Sequence, residues 1–444
     1  MIRGGERPNP ARPSPSIATA VRPAVAPAHA VQLAVFFTFV AAGGMPWVDR
    51  SGDYAAFEAG PRFALFYAGC ALAAGLAALA APARMAALVP LPLVLLVGWC
   101  GLTIAASPVP ETALRTLAAT VAAMGACAAL VAGAPAPSRL FRGMLAILLL
   151  LLAADYATVI LRPDLGIHAA SDGLEPNNAG AWRGFHLHKN NAGMLSVAGV
   201  LLVLGLFGRS RPVAALAIAA PFAAFAVLSV AKTAMIAAAV ALLVAPAVVG
   251  PWSPTRRAVL VCGALAALAV AIMFVDDELR GPLLLALFGD ETLTGRLPIW
   301  RFLLGFAADH PWFGGGYASL WEIGDAAPAR SAPDVFLHRV ANAHSAYLDV
   351  LASLGVPGLA FTLVAFVAVP AARLARVRFS AEDRPALIVA TSLWLFGLVA
   401  GLTTPVFLQK IRIEWIVFLT GYFALLRMTG PGVVRPGDDA GAPP

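Results

Sequence analysis

The chain has 444 residues, of which 60% are hydrophobic and only 12% charged, and its formal net charge is +7. So apolar a composition excludes an ordinary soluble protein and predicts a polytopic membrane protein. Continuous runs of Ala, Leu and Val argue against a closed β-barrel. Because the arginines fall on both faces of the predicted membrane, the positive charge does not indicate a nucleic-acid partner.

The two ends of the chain differ in composition from its centre. Residues 1–28 are rich in Pro, Ala and Arg and lack hydrophobic periodicity, and residues 429–444 are rich in Gly, Pro and Asp. Such segments cannot bury a core, so both are predicted to be disordered tails. The transmembrane domain is predicted to extend over 29–428.

This domain contains about twelve apolar runs of roughly 17 to 25 residues, the length that crosses the hydrocarbon core of a bilayer. Each run must satisfy its backbone hydrogen bonds internally, which predicts an all-α polytopic integral membrane protein. A short polar break at 229–232 is all that divides the seventh run from the eighth. The runs lie at 29–48, 62–81, 87–106, 112–134, 140–161, 190–208, 212–229, 231–250, 256–275, 344–371, 385–407 and 413–427.

The short loops on one side of the predicted membrane are basic. Basic residues collect in cytoplasmic loops, so both termini are predicted to be cytoplasmic. Loops 163–189 and 276–341 then lie on the opposite, outer side. The inner basic residues include Arg84, Arg139, Arg142, Arg209, Arg211, Arg256, Arg257, Arg373, Arg376, Arg384 and Arg427.

Several cations nevertheless fall on the outer side. The positive-inside tendency does not call for them there, so a bound anion is the natural explanation. We refer to them as the outer cations: Arg183, Lys189, Lys232, Arg296, Arg301, Arg339, Lys410 and Arg412.

The first outer segment brings cations and amides to the mouth of the sixth run. It contains Arg183, His188, Lys189 and Asn190. A helix N-terminus favours anions, and Asn190 is a candidate N-cap. A solvated polar loop is the alternative. His186 and His188 form a lone His-x-His pair, which is weak support for a metal site.

Lys232 interrupts an apolar stretch at the 229–232 break. A lysine at such a place either marks a tight turn and reaches the interface, or faces a polar cavity. The cost of a cation at the membrane boundary favours the second interpretation.

The long loop 276–341 predicts a helix and a flexible turn. Apolar residues recur at helical spacing from Leu297 onward, so an amphipathic helix along the membrane surface is predicted to end before His310 and Pro311. Arg296 lies at its start. The glycines at 314–316 then allow a sharp turn or close approach to a ligand.

The end of this loop places His344 at the outer mouth of the tenth run. Further along the chain, Asp349 shares a helix face with Ser345. His344 is either an interfacial anchor or a general base, since histidine is the side chain that most often transfers protons near neutral pH. The nearby arginines and Asp349 favour the general base.

Taken together, these segments resemble the O-antigen ligase family, membrane glycosyltransferases that include O-antigen and exopolysaccharide polymerases. The sequence departs from the family pattern at Ser345, where Asn is common, at Lys232, where Arg is common, and at Lys189, where Pro is common. The matching elements are Arg183-Gly184-Phe185 with His188 and Asn190; Ser229 and Lys232; Thr294-Gly295-Arg296, Ile299-Trp300 and His310-Pro311-Trp312 with Gly314 and Gly316; and Ala343-His344 with Leu348, Gly355, Gly358 and Leu359.

The resemblance implies a GT-C-like fold in the bacterial inner membrane, with short helices in a large periplasmic loop and an active site facing the periplasm. The donor would be a glycan on undecaprenyl pyrophosphate. The acceptor would be a sugar hydroxyl, on lipid A–core or on a growing polysaccharide. No cofactor and no metal are implied.

It also implies roles for individual residues. His344 would take the proton of the attacking hydroxyl, Arg296 would join it in catalysis, and direct displacement would invert the anomeric centre. The residues expected to hold the pyrophosphate are Arg183, Lys232, Arg296, Arg339 and Arg412; the expected supporting residues are His188, Asn190, Ser345 and Asp349.

Two other classes of protein remain open at this point. A secondary transporter of an anionic substrate would place its charges near the bilayer midplane and would contain inverted repeats. A non-catalytic assembly or sensor protein would not need His344 together with outer cations. Within the enzyme class, a polymerase would use the same donor and differ in its acceptor.

Overall fold

The structure is a computed structural model of the chain. The residues that it describes are 61–170, 178–250, 253–254, 257–258, 260–263, 296–321, 323–332, 334, 337–338, 340, 342–376, 380–410 and 412–430.

The described residues form an all-helical protein in which no β-strand occurs, apart from one isolated bridge between Ile167 and Trp182. The helices are α1 Pro61–Ala80, α2 Pro82–Ala87, α3 Leu91–Thr103, α4 Pro110–Gly133, α5 Pro137–Leu161, α6 Lys189–Phe207, α7 Pro212–Leu228, α8 Lys232–Val248, α9 Arg296–Asp309, α10 Ala346–Leu363, α11 Val369–Arg376, α12 Arg384–Ala400 and α13 Ile413–Thr429. A π-helical stretch joins α10 to α11, and together they form a helical rod that is kinked at Gly355.

The all-α prediction is confirmed for these residues. Four helices are long and apolar enough to cross a membrane, namely α4, α5, α6 and the α10–α11 rod, and several others are apolar but shorter. The total of about twelve spans stays a prediction, because 29–48 and most of 256–275 lie outside the described residues. The predicted tails, 1–28 and nearly all of 429–444, lie outside them as well.

The break between the seventh and eighth runs is confirmed. Helix α7 ends at Leu228 and α8 begins at Lys232. One boundary was predicted wrongly: the run at 385–407 continues beyond its helix, which ends at Ala400. The last part of that run is an apolar loop, and Val406 and Phe407 are buried within the protein instead of extending α12.

Helices α12 and α13 form the centre of the core. Almost every residue of both is buried, as expected for helices that are apolar on all sides. Small residues let their backbones approach closely: a Cβ added at Gly397 would lie 2.4 Å from Cδ2 of Phe418. This crossing therefore depends on the absence of a side chain at Gly397.

We expect Gly397→Ala to lower the thermal unfolding temperature of the detergent-purified protein, because the added methyl overpacks the crossing at a cost of about 1–3 kcal/mol. Gly98→Ala in α3 is the matched control, since nothing lies within 4 Å of its added Cβ. There, alanine is expected to raise stability slightly, by up to about 1 kcal/mol. Equal shifts in the two variants would contradict the packing argument.

The loops separate into two ends of the bundle. At one end, the backbone N–H of Ala346, at the start of α10, donates to the carbonyl of Gly401, just after α12, at 2.7 Å. At the other end, Nη1 of Arg427 donates to the carbonyl of Ala134, just after α4. The first end contains the loops that the sequence predicts to be outer, so we call it the outer end, and the second the inner end.

Candidate functional site

Four segments of the outer end are joined by direct contacts. The N–H of Trp182 donates to the carbonyl of Leu228 at 2.9 Å, which ties the loop before α6 to the turn after α7. Thr233, at the start of α8, shares a hydrogen bond of 3.1 Å with Thr403, in the loop after α12. Since that loop also contacts the start of α10, the segments carrying Arg183, Lys232, His344 and Arg412 form one continuous surface.

Arg183 is buried within this surface, with only 3% of its area exposed. Its Nε donates to the carbonyl of Leu165 at 2.8 Å, and its Nη1 lies 3.4 Å from Nδ1 of His168. The guanidinium therefore joins the end of the 163–189 loop to its first residues.

A buried aspartate fixes the turn that follows Arg183. Asp155 in α5 accepts a hydrogen bond of 3.1 Å from the N–H of Phe185, and its other oxygen lies 3.4 Å from Nε2 of the fully buried His186. Gly184 has φ +58°, and a Cβ there would overlap Oδ1 of Asp155. The Arg183-Gly184-Phe185 sequence is thus shaped by contact with a membrane helix.

We expect Asp155→Ala to loosen this turn, because the Phe185 N–H would lose its buried acceptor at a cost of about 1–3 kcal/mol. Limited proteolysis should cut the 163–188 region faster in this variant. Asp164→Ala is the matched control, since that carboxylate is exposed and forms a salt bridge with the exposed Arg162. Unchanged proteolysis in both variants would show that Asp155 does not hold the turn.

The start of α6 differs from the predicted capping. His188, not Asn190, is the N-cap: its Nδ1 accepts a hydrogen bond of 3.1 Å from the N–H of Asn190. The ring of His168 packs against that of His188, and its Nε2 accepts from the N–H of Lys189 at 3.2 Å. Both histidines therefore help to fix the helix start, while Asn190 is exposed.

Lys232 is the exposed first residue of α8. The turn before it is tight and strained, since Val230 has φ +51°, a conformation that a β-branched residue adopts rarely. The Nζ of Lys189 lies 3.3 Å from the carbonyl of Val230. Lys232 therefore marks a tight turn, and its predicted place facing a polar cavity stays a prediction.

Arg296 is the first described residue of α9, and this helix ends at Asp309, as predicted from His310 and Pro311. The indole Nε1 of Trp300 donates to the carbonyl of Ala343 at 3.1 Å. This bond ties α9 to the residue that precedes His344.

The loop after α9 is anchored in a kink of α10. Gly355 has φ +69° and ψ −174°, which interrupts the helix, and the N–H of Val356 donates to the carbonyl of Pro311 at 2.7 Å. Further along, the hydroxyl of Tyr317 donates to the carbonyl of Leu408 at 3.0 Å, and burial raises the pKa of that hydroxyl. The long loop is therefore attached firmly to the bundle on both sides of the site.

His344 lies just before α10, which begins at Ala346. The sequence had placed His344 at the first position of this helix. Its N–H donates to Oδ1 of Asn342, and its φ is +47°, an unusual value for a residue other than glycine. Ser345 is the N-cap, and its Oγ accepts from the N–H of Leu348. Two side-chain hydrogen bonds therefore fix the backbone here. The positive-φ conformation of His344 costs roughly 1–3 kcal/mol in strain.

Asp349 is held by a residue that the sequence did not indicate. Its Oδ1 accepts a hydrogen bond of 2.7 Å from Nε1 of Trp321. The start of α10 is thereby linked to the loop that follows α9.

A shared placement connects these cations. Lys189 and Lys232 each begin a helix, Arg296 is the first described residue of one, and Arg412 is an N-cap. The positive end of the helix macrodipole disfavours a cation there by about 0.3–1 kcal/mol. Free N–H groups and a basic side chain at the same point suit an anion.

Two further expectations from the sequence concern Arg339 and a metal site. Arg339, expected to hold the pyrophosphate, lies outside the described residues. In the part of the chain that the structure describes, no group of three or more His, Cys, Asp or Glu side chains is placed to hold a metal ion.

Three residues that shape this region were not predicted from the sequence, namely His168, Asp155 and Trp321. Of these, only Asp155 could have been recognised, because an acid inside an apolar run is unusual.

The fold is that of a helical membrane protein, and basic residues collect at its outer end. Residues 216–363, a third of the chain, match the family model described as O-Antigen ligase. This match confirms the resemblance seen in the motifs. The matched segment contains Lys232, Arg296 and His344 and leaves out Arg183 and Arg412. No curated protein matches the chain significantly.

Proposed function

We propose that this protein is a membrane glycosyltransferase that moves a glycan from undecaprenyl pyrophosphate to a sugar hydroxyl at the periplasmic face of the inner membrane. The observation that carries the proposal is that Lys189, Lys232 and Arg412 stand at helix starts. Hydrogen bonds join the starts of α8 and α10 to the loop after α12, and His344 lies directly before α10. A diphosphate supplies the negative charge that such an arrangement lacks.

In the proposed reaction, the acceptor hydroxyl attacks the anomeric carbon of the donor glycan. A bond forms between the acceptor oxygen and that carbon, and the bond from the carbon to the diphosphate oxygen breaks. The hydroxyl proton passes to the imidazole of His344, and the electron pair of the broken bond stays on the leaving diphosphate. Direct displacement inverts the anomeric centre.

The cations stabilise the leaving group. Lys232 is exposed, while Arg296 and Arg412 are half-buried, so all three present charge to the outer surface. Preorganised charges at a site with little water stabilise developing negative charge strongly. We assign these residues to direct contact with the diphosphate, together with Arg339. Arg183 adds its charge from within the 163–189 loop, and no metal ion is needed to neutralise the diphosphate.

The remaining proposed residues position this machinery. His188 caps α6, Ser345 caps α10, and Asp349 accepts a hydrogen bond from Trp321. Asn190, exposed beside Lys189, is available to bond a donor sugar or phosphate oxygen. In this arrangement His344 remains the base.

A transfer assay tests the function. The purified full chain is supplied with an undecaprenyl-pyrophosphate glycan, either with lipid A–core or as the donor alone. A glycan attached to lipid A–core is the expected product of a ligase, and elongation in the donor-only reaction would identify a polymerase instead. Absence of product in both reactions would contradict the proposal.

A further inference from the structure

At the inner end, arginines from three separate helices meet. Arg427 of α13 donates from Nη1 to the carbonyls of Val131 and Ala134, at the end of α4. Arg84 of α2 reaches the neighbouring carbonyl of Ala132 at 3.5 Å. Arg373 of α11 reaches the last turn of α13 at 3.5 Å. We call Arg84, Arg373 and Arg427 the inner arginine cluster.

In the part of the chain that the structure describes, no salt bridge joins any arginine of this cluster to a carboxylate. The contacts with helix carbonyls offset part of the charge, because the negative end of a helix dipole attracts cations.

The cluster keeps many unused hydrogen-bond donors. A guanidinium carries five N–H groups, and Arg84 and Arg373 each use one of them in a long contact. Arg84 is exposed and Arg373 half-buried, so these donors are accessible from the surface. Forked guanidinium donors match the two free oxygens of a phosphodiester.

We propose that the inner arginine cluster binds the phosphate of an anionic phospholipid, at the opposite end of the bundle from the O-antigen ligase site. Arg427 lies at the end of a predicted span, and Arg84 and Arg373 lie within three residues of one, the depth at which a headgroup phosphate sits. Basic pockets between transmembrane helices on the cytoplasmic side suit such headgroups. The lipid would brace α4 against α11 and α13, and this assignment is independent of the proposed glycosyl transfer.

The test uses the full-length protein purified in detergent. Native mass spectrometry and thermal unfolding are recorded with phosphatidylglycerol, with phosphatidylcholine and with inorganic phosphate. Phosphatidylglycerol is expected to remain bound and to raise the unfolding temperature, and the other two are expected to have little effect. Equal effects of the two lipids would overturn the proposal, and an equal effect of inorganic phosphate would overturn the assignment to a lipid.

The matched variants are Arg84→Gln with Arg373→Gln, which leave Arg427 and its carbonyl contacts in place. Phosphatidylglycerol binding is expected to weaken at least about tenfold, since losing charge-assisted hydrogen bonds changes affinity by roughly that factor each. Arg211→Gln, an exposed inner arginine in the turn before α7, is the control and should bind as the unmodified protein does. Unchanged binding in the double variant would overturn the site.

Discussion

His344→Asn is expected to abolish glycan transfer while the protein stays folded. Asparagine adopts positive φ more readily than most residues, so it tolerates the +47° at this position, and it cannot take a proton near neutral pH. Loss of a general base lowers the rate by about 10²–10⁴-fold. The measurement is the turnover number in the transfer assay, with donor binding measured separately.

The control is His310→Gln, because His310 is an exposed histidine of the same outer end whose Nδ1 contacts only the carbonyl of Phe306 within its own helix end. It should leave turnover unchanged. His344→Ala distinguishes the backbone from the chemistry: it removes the imidazole and also strains the positive-φ position. If His344→Asn kept full turnover while His344→Ala lost it, His344 would be a structural residue and not the base.

The helices themselves were predictable because they follow from local sequence. The apolar runs gave the helices between 61 and 161 and between 189 and 248 to within a few residues. Pro311 stopped α9, since the residue before a proline disfavours the helical conformation. The break at 229–232 separated α7 from α8, because Ser229 and Lys232 interrupt the apolar run there.

The site was predictable only as a set of residues at one end, because its internal contacts join residues far apart in the chain. Trp300 reaches Ala343, Tyr317 reaches Leu408, and Trp321 reaches Asp349. A single sequence carries no signal for such pairs. The burial of Arg183 was missed for the same reason, since its partners Leu165 and His168 lie 18 and 15 residues earlier in the chain.

The capping of α6 shows a subtler limit. Asn190 is a better N-cap by residue type, and the sequence favoured it. His188 takes that place because its ring also packs on that of His168. The Nε2 of His168 in turn accepts a hydrogen bond from the N–H of Lys189. A tertiary contact thus outweighed a local preference, and the first residue of the helix became Lys189, a cation facing the positive end of the dipole.

Arg296→Gln is expected to lower turnover by about 10²–10³-fold, the usual effect of removing one preorganised donor that stabilises developing charge. Glutamine keeps a polar, unbranched side chain that favours helix, so α9 and the Trp300 bond to Ala343 should remain. Donor affinity should fall less than turnover, because the diphosphate is most negative as the bond breaks. Arg301→Gln is the matched control, since Arg301 is an exposed cation of the same helix away from its start.

Variants of Lys232 test whether its charge is required and whether Lys232 and Arg296 bind the same diphosphate. Lys232→Gln should lose turnover as Arg296→Gln does, whereas Lys232→Arg should keep it, because the family pattern commonly has Arg there and both side chains carry the charge. Combining Arg296→Gln with Lys232→Gln should cost less than the product of the single effects if both residues bind one diphosphate, since contacts that act as a unit are not additive. Fully independent effects would mean that the two cations serve different anions, and the proposed clamp would have to be divided between them.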